Sequence, residues 1–147
     1  MSISEEKIRF ILNQDPFDAQ IAGNHYLRSG NPIKVINLID NYFGYNIATA
    51  CKYACRCLYK GQLKEDLLKV VHYIALHKAL RKQGFVRVRV MDKNAYQEIV
   101  DNLKILSLDD SCKKLLLEIL DWFDNPNIVT ETKIIKRISD LSQRRPL

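Results

Sequence analysis

Pro32, Gly44, Gly61 and Gly84 divide the middle of this chain into three stretches in which apolar residues recur every three or four positions. That spacing commits the chain to helices, because proline starts a helix well at its first position and glycine ends one. The first stretch, 32–44, carries Ile33, Val35, Ile36, Leu38, Ile39, Tyr42 and Phe43 and reads as a core helix. A second helix is expected from Asn46 to about Lys60, closed by Gly61, and a third from about Lys64 to Lys82, closed by Gly84. The short connections between them imply antiparallel neighbours.

The same period continues on both sides. Ser2 and Glu5 are spaced as a capping box, so a first helix is expected near 3–13, with Ile3, Phe10 and Ile11 as its apolar stripe. Residues 92–106, 108–123 and 130–142 read as three more helices, separated by SLDD and DNPN breakers. Two stretches break the pattern. Residues 14–30 carry Pro16, Gly23 and Gly30 with little periodicity and read as an ordered loop presenting Asn24, His25 and Tyr26. Phe85 to Met91 alternates valines with Arg87 and Arg89, the signature of either a short strand near 86–90 or an extended linker. The fold class expected is therefore all-α, a compact domain of six or seven helices, with residues 1–84 as a helical core and 85–147 as a helical extension packed on it or used to form a homo-oligomer.

Composition narrows the function. A chain of 147 residues with 47% hydrophobic and 27% charged content can bury a core. No apolar run approaches the roughly 20 residues of a membrane span, and MSISEEKIRF lacks a signal pattern, so a cytoplasmic location is expected. A net charge of +6 favours anionic partners without choosing among nucleotides, nucleic acids and acidic proteins. Cys51, Cys55 and Cys57 crowd into one helix and only Cys112 lies elsewhere, which suits buried free thiols better than a disulfide framework or a zinc site.

The chemistry-bearing residues concentrate between His25 and Tyr73. On the second helix Ile47, Cys51, Ala54 and Leu58 share one face, while Thr49, Lys52, Tyr53, Arg56 and Lys60 share the other. Lys52, Arg56 and Lys60 stand at successive i, i+4 positions, where like charges repel unless an anion or carboxylate neutralises them. On the third helix Asp66, Lys69, Tyr73 and His77 form a polar face beside an expected core face of Leu67, Val71, Ile74 and Ala75. If the two polar faces meet, Asp66 pairs with Arg56 or Lys52, and the remaining cations with Tyr53 and Tyr73 line a groove suited to phosphate and base. The plainer alternative is an inter-helix salt bridge with two tyrosines closing the edge of the core. There is no phosphate loop, dinucleotide fingerprint, G-x-S-x-G or H-E-x-x-H, and no helix carries the carboxylate cluster of a multi-magnesium pyrophosphatase.

Taken in order, His25-Tyr26, Lys52-Tyr53, Arg56, Lys60-Gly61, Asp66-Leu67, Lys69 and Tyr73 resemble the SaV-like family of small bacteriophage proteins. That family's pattern is approximately HY, a spacer, K-Y-x-x-R, K-G, D-L-x-K and a W-Y or similar pair. The resemblance spans roughly a third of the chain. This sequence departs from it with Ala48-Thr49 in place of Gly-Asn and His72-Tyr73 in place of Trp-Tyr, which leaves substrate choice open. The family includes a podophage kinase of deoxynucleoside monophosphates that lacks a standard phosphate loop. The resemblance therefore implies a nucleoside monophosphate kinase using ATP and Mg2+, with Lys52, Arg56, Lys60 and Lys69 on the phosphates, Asp66 as the metal ligand, and His25 and Tyr26 bordering base or sugar, beside the substrate groove already read at Tyr53 and Tyr73. Other members are known chiefly as phage factors sensed by host defence, so a non-catalytic protein that binds a nucleotide or a host protein is the alternative. Nucleic acid is a weaker candidate partner.

Overall fold

The computed structural model describes residues 4–13, 32–85 and 92–145, which contain seven helices and no strand. They are α1 (Glu5–Leu12), α2 (Ile33–Phe43), α3 (Tyr45–Arg56), α4 (Leu63–Lys82), α5 (Lys93–Lys104), α6 (Asp110–Asp124) and α7 (Ile128–Ser142). The all-α class read from the sequence is the observed one. The alternating segment 86–90 and the loop carrying His25 and Tyr26 lie outside the described residues.

Local chemistry explains most boundaries. Gly44 (φ +89°) ends α2 and immediately precedes α3, a conformation that a residue with a Cβ adopts only under strain. Gly84 (φ +78°) ends α4 in a Schellman arrangement, in which the Phe85 amide donates to the Leu80 carbonyl at 2.9 Å and the Gly84 amide to that of Arg81 at 3.1 Å. Asp92 and Asp109 cap α5 and α6 by accepting from the amides of Asn94 and Ser111, and Asn127 with Thr130 forms a reciprocal capping box on α7. Glu65 and Asp66 in the first turn of α4, with Arg81 and Lys82 in its last, complement the helix dipole.

α3 is the central element, packed against α2, α4 and α6, while α2 also meets α5, and α7 rests on both α6 and α4. Its inward residues are small: Ala48, Ala50, Cys51, Ala54 and Cys55 are buried beside Ile47, which lets neighbouring helices approach closely. A continuous apolar cluster runs from Val35, Ile39 and Phe43 through Leu67 and Val70 to Leu115, Leu116, Ile119, Leu120 and Trp122 and on to Ile134 and Leu141. The core thus draws on helices from both sides of residue 85.

Three expectations are corrected. The second helix ends at Arg56, because Cys57 and Leu58 turn into the core, and Lys60 leaves the helix for an exposed turn. On α4, Val71 and Ala75 face outward, while Asp66 and His77 are buried at 0% and 2% exposure. Apolar residues occur all around α4, so no single face was marked by hydrophobicity, and the inward face is the one on which Asp66 pairs with Arg56 of α3 and the His77 ring packs against Trp122 of α6. Phe10, expected in an apolar stripe, remains 64% exposed on α1.

Candidate functional site

The polar faces of α3 and α4 do meet, and they meet through Asp66. Its carboxylate accepts from Arg56 Nη2 at 3.3 Å and Nε at 3.4 Å, a two-pronged pairing between adjacent helices. The Asp66 side chain has no exposure and that of Arg56 only 14%. The repulsion expected along Lys52, Arg56 and Lys60 is thereby relieved at its middle member. Lys52 stays half-buried on α3, and neither it nor Lys60 makes an ion pair among the described residues.

Around this pair the aromatic rings are ordered. The Arg56 guanidinium carbon lies 4.6 Å from the Tyr53 ring centroid and Lys69 Nζ lies 5.0 Å from the same ring. Tyr53 in turn stacks on Tyr73 of α4, with centroids 6.0 Å apart and planes 18° from parallel. Tyr45, at the start of α3, meets Tyr73 edge-on at 6.2 Å and is itself 68% exposed, and His72 flanks Tyr73 at 5.5 Å. Lys69 also reaches Glu65 one turn earlier, at 3.6 Å. Loss of hydration and then the neighbouring phenols of Tyr45 and Tyr53 raise the Tyr73 hydroxyl above its ordinary value, so it stays a neutral hydrogen-bonding group near pH 7.

Of the residues singled out from the sequence, the fold gathers Tyr53, Arg56, Asp66, Lys69 and Tyr73 into one cluster. Lys52 sits one turn before Arg56 on the same helix, and Lys60 stands on the turn leading into α4. His25 and Tyr26 lie outside the described residues. Tyr45 was missed, although it falls four residues before Thr49 and eight before Tyr53, which places all three on one helical face.

Asp66 does not fit the metal role expected of it. Both of its oxygens are engaged by Arg56 in a site closed to solvent, and no group of three or more His, Cys, Asp or Glu among the described residues is arranged to hold a metal ion. What the cluster offers chemically is a surface of aromatic rings interleaved with cations. Such a surface favours a flat ring carrying negative charge.

The model of a family described as "Protein of unknown function (DUF3310)" matches residues 21–75. The matched stretch covers α2, α3 and α4 as far as two residues past Tyr73, and so contains every member of the cluster. No curated protein and no solved structure matches the chain.

Proposed function

We propose that the face shared by α3 and α4 binds a nucleotide, and that the activity to test first is transfer of phosphate from ATP to a nucleoside monophosphate, as the resemblance to the phage-type family implies. The observation that carries this reading is the Tyr53 ring, stacked on Tyr73 and approached by both Arg56 and Lys69. In it Tyr45 and Tyr73 offer ring surface to a base, while Lys52, Lys60 and Lys69 supply cations for phosphate oxygens. Arg56 has a different part. Held and neutralised by Asp66, it fixes the Tyr53 ring from beneath the surface and leaves the net positive charge to the lysines.

In the proposed reaction an oxygen of the acceptor's phosphate attacks the γ-phosphorus of ATP and the bond to the β-bridging oxygen breaks, giving ADP and a nucleoside diphosphate. Such transfer depends chiefly on alignment and charge neutralisation, which lysines at the rim of an aromatic surface can provide. Magnesium enters this reading only as the ion carried by ATP.

One observation favours the second reading, a nucleotide- or host-protein-binding factor without turnover: the cluster's only buried carboxylate is spent on Arg56. A single experiment separates the two. The wild-type protein and Lys69→Ala are incubated with MgATP and a panel of ribo- and deoxynucleoside monophosphates, with binding of each nucleotide followed by calorimetry. Diphosphate formed by the wild type and lost in the variant supports the kinase; binding without product selects the second reading; neither binding nor product overturns both nucleotide readings.

A further inference from the structure

The opposite side of α4 carries a second surface that the nucleotide reading does not use. Between α4 and α7 runs a groove of about 450 Å³, floored by Ile74, Ile134 and Ile138 and walled by Val71 and Ile135. Val71 and Ile135 are 46% and 61% exposed. The Lys78–Glu131 ion pair (3.1 Å) crosses the groove, and beyond it a hollow of about 560 Å³ continues over Trp122, with Ile128 projecting at 81% exposure. From Ile128 to Ser139 the combined surface follows α7 for about 17 Å, the length of roughly three helical turns.

Charge along the groove is one-sided. Lys78, Arg81 and Lys82 line it against Glu131 alone, and Glu131 is already paired with Lys78. Arg81 is anchored at the rim, donating from Nη1 to the Phe123 carbonyl at 3.1 Å with its guanidinium over the Phe123 ring, and Lys82 makes no ion pair among the described residues. An apolar trough three turns long with unneutralised cations at one end complements an amphipathic helix that has apolar residues at i, i+3 or i+4, and i+7 and carboxylates at the matching end.

We infer that the α4–α7 groove is a docking site for an acidic amphipathic helix of a partner protein. The apolar stripe fills the trough on either side of the Lys78–Glu131 bridge, and the carboxylates meet Arg81 and Lys82. The site faces away from the Tyr53 cluster, so it stands whether or not that cluster binds nucleotide.

The test uses the full chain and a fluorescein-labelled helical peptide of about 14 residues, with leucines at i, i+4, i+7 and i+11 and glutamates elsewhere on the flanks. A second peptide carries lysine in place of every glutamate. Anisotropy should show the acidic peptide binding at least about tenfold more tightly than its basic twin, and Ile135→Glu or Val71→Glu should weaken it by a similar factor, since each places an unpaired carboxylate in the trough. Both substitutions fall on exposed side chains, and circular dichroism confirms that each variant is folded. No binding of the acidic peptide, equal binding of the twins, or binding indifferent to both substitutions overturns the inference. So does a self-associated protein that Ile135→Glu converts to monomer in sedimentation, which would make the groove an interface between copies of this chain.

Discussion

Arg56 holds Asp66 from one side and the Tyr53 ring from another, so a charge on α3, a buried carboxylate on α4 and the aromatic surface above them are one mechanical unit. The sequence placed Arg56 on the face opposite Ile47, Cys51, Ala54 and Leu58, and the fold nonetheless leaves its side chain only 14% exposed against a fully buried partner.

Asp66→Ala leaves a nearly buried guanidinium without its counter-charge, and Arg56→Ala leaves a fully buried carboxylate without its own. Each should lower unfolding free energy by about 3 kcal/mol, with the double variant losing less than the sum of the two. Urea titrations of the three variants measure the coupling, and additive losses would show that the pair is not acting as one.

Lys69→Ala and Tyr45→Ala are the cleaner probes of ligand binding. Tyr45 is largely exposed and Lys69 partly so, and the Lys69–Glu65 pair is an exposed i, i+4 contact, so stability should shift by no more than about 0.5 kcal/mol. Nucleotide affinity measured by calorimetry should fall in both. Retained affinity in both would move the binding surface away from this cluster.

His77 introduces a pH dependence of known sign. It is 2% exposed, packed against Trp122 and Phe123, and its Nε2 has no hydrogen-bond partner among the described residues. Burial first, and then the Arg81 charge, depress its pKa below the ordinary imidazole value. Below that ordinary value, about 6.5, the unfolded chain takes up a proton that the folded one refuses, so stability is complete above it and declines as pH falls toward the depressed value. Unfolding free energies measured between about pH 8 and about pH 5 should slope less steeply in His77→Phe than in the wild type.

All four cysteines are free and buried, and Cys57 Sγ lies 3.8 Å from Cys112 Sγ. Burial pushes the thiols of Cys51 and Cys55 up, and the contact with Cys57 does the same to Cys112. A thiol-reactive chromogenic reagent at neutral pH should label none of the four in the native protein and all four once denaturant is added. Fast labelling of any of them in the native state would contradict the packing of α3 against α6.

Much of the fold was readable because glycines and caps act locally. Gly44 and Gly84 end helices where their lack of a Cβ is needed, and the inward positions Ile47, Cys51, Ala54 and Leu58 follow from period alone. Gly61 misled the reading because the helix before it unwinds earlier, drawn off at Cys57 and Leu58 by burial that no local signal announces. The orientation of α4 was hidden for a related reason: with leucines and valines on every side, its inward face is chosen by Asp66 meeting Arg56 and His77 meeting Trp122, and both pairings depend on how helices lie against one another. The sequence named Arg56 as a partner for Asp66 if the two polar faces met, but neither their meeting nor the depth at which Asp66 sits was legible in it.

Beyond α4, Asp109 ties distant parts of the chain together. Its amide donates to the Tyr59 hydroxyl at 2.8 Å, while its carboxylate caps α6 and receives Arg144 at 2.7 Å. The turn after α3, the head of α6 and the end of α7 are therefore fastened at one residue that lies well past the stretch the family model matches. A fragment cut to that stretch would keep every member of the Tyr53 cluster together with α2, but would lose the end of α4 and all of α6, one of the three helices packed on α3. What is recognisable in this chain is shorter than what must fold for it to be displayed, and any transplant of the cluster onto another protein has to carry α6 and α7 along as its foundation.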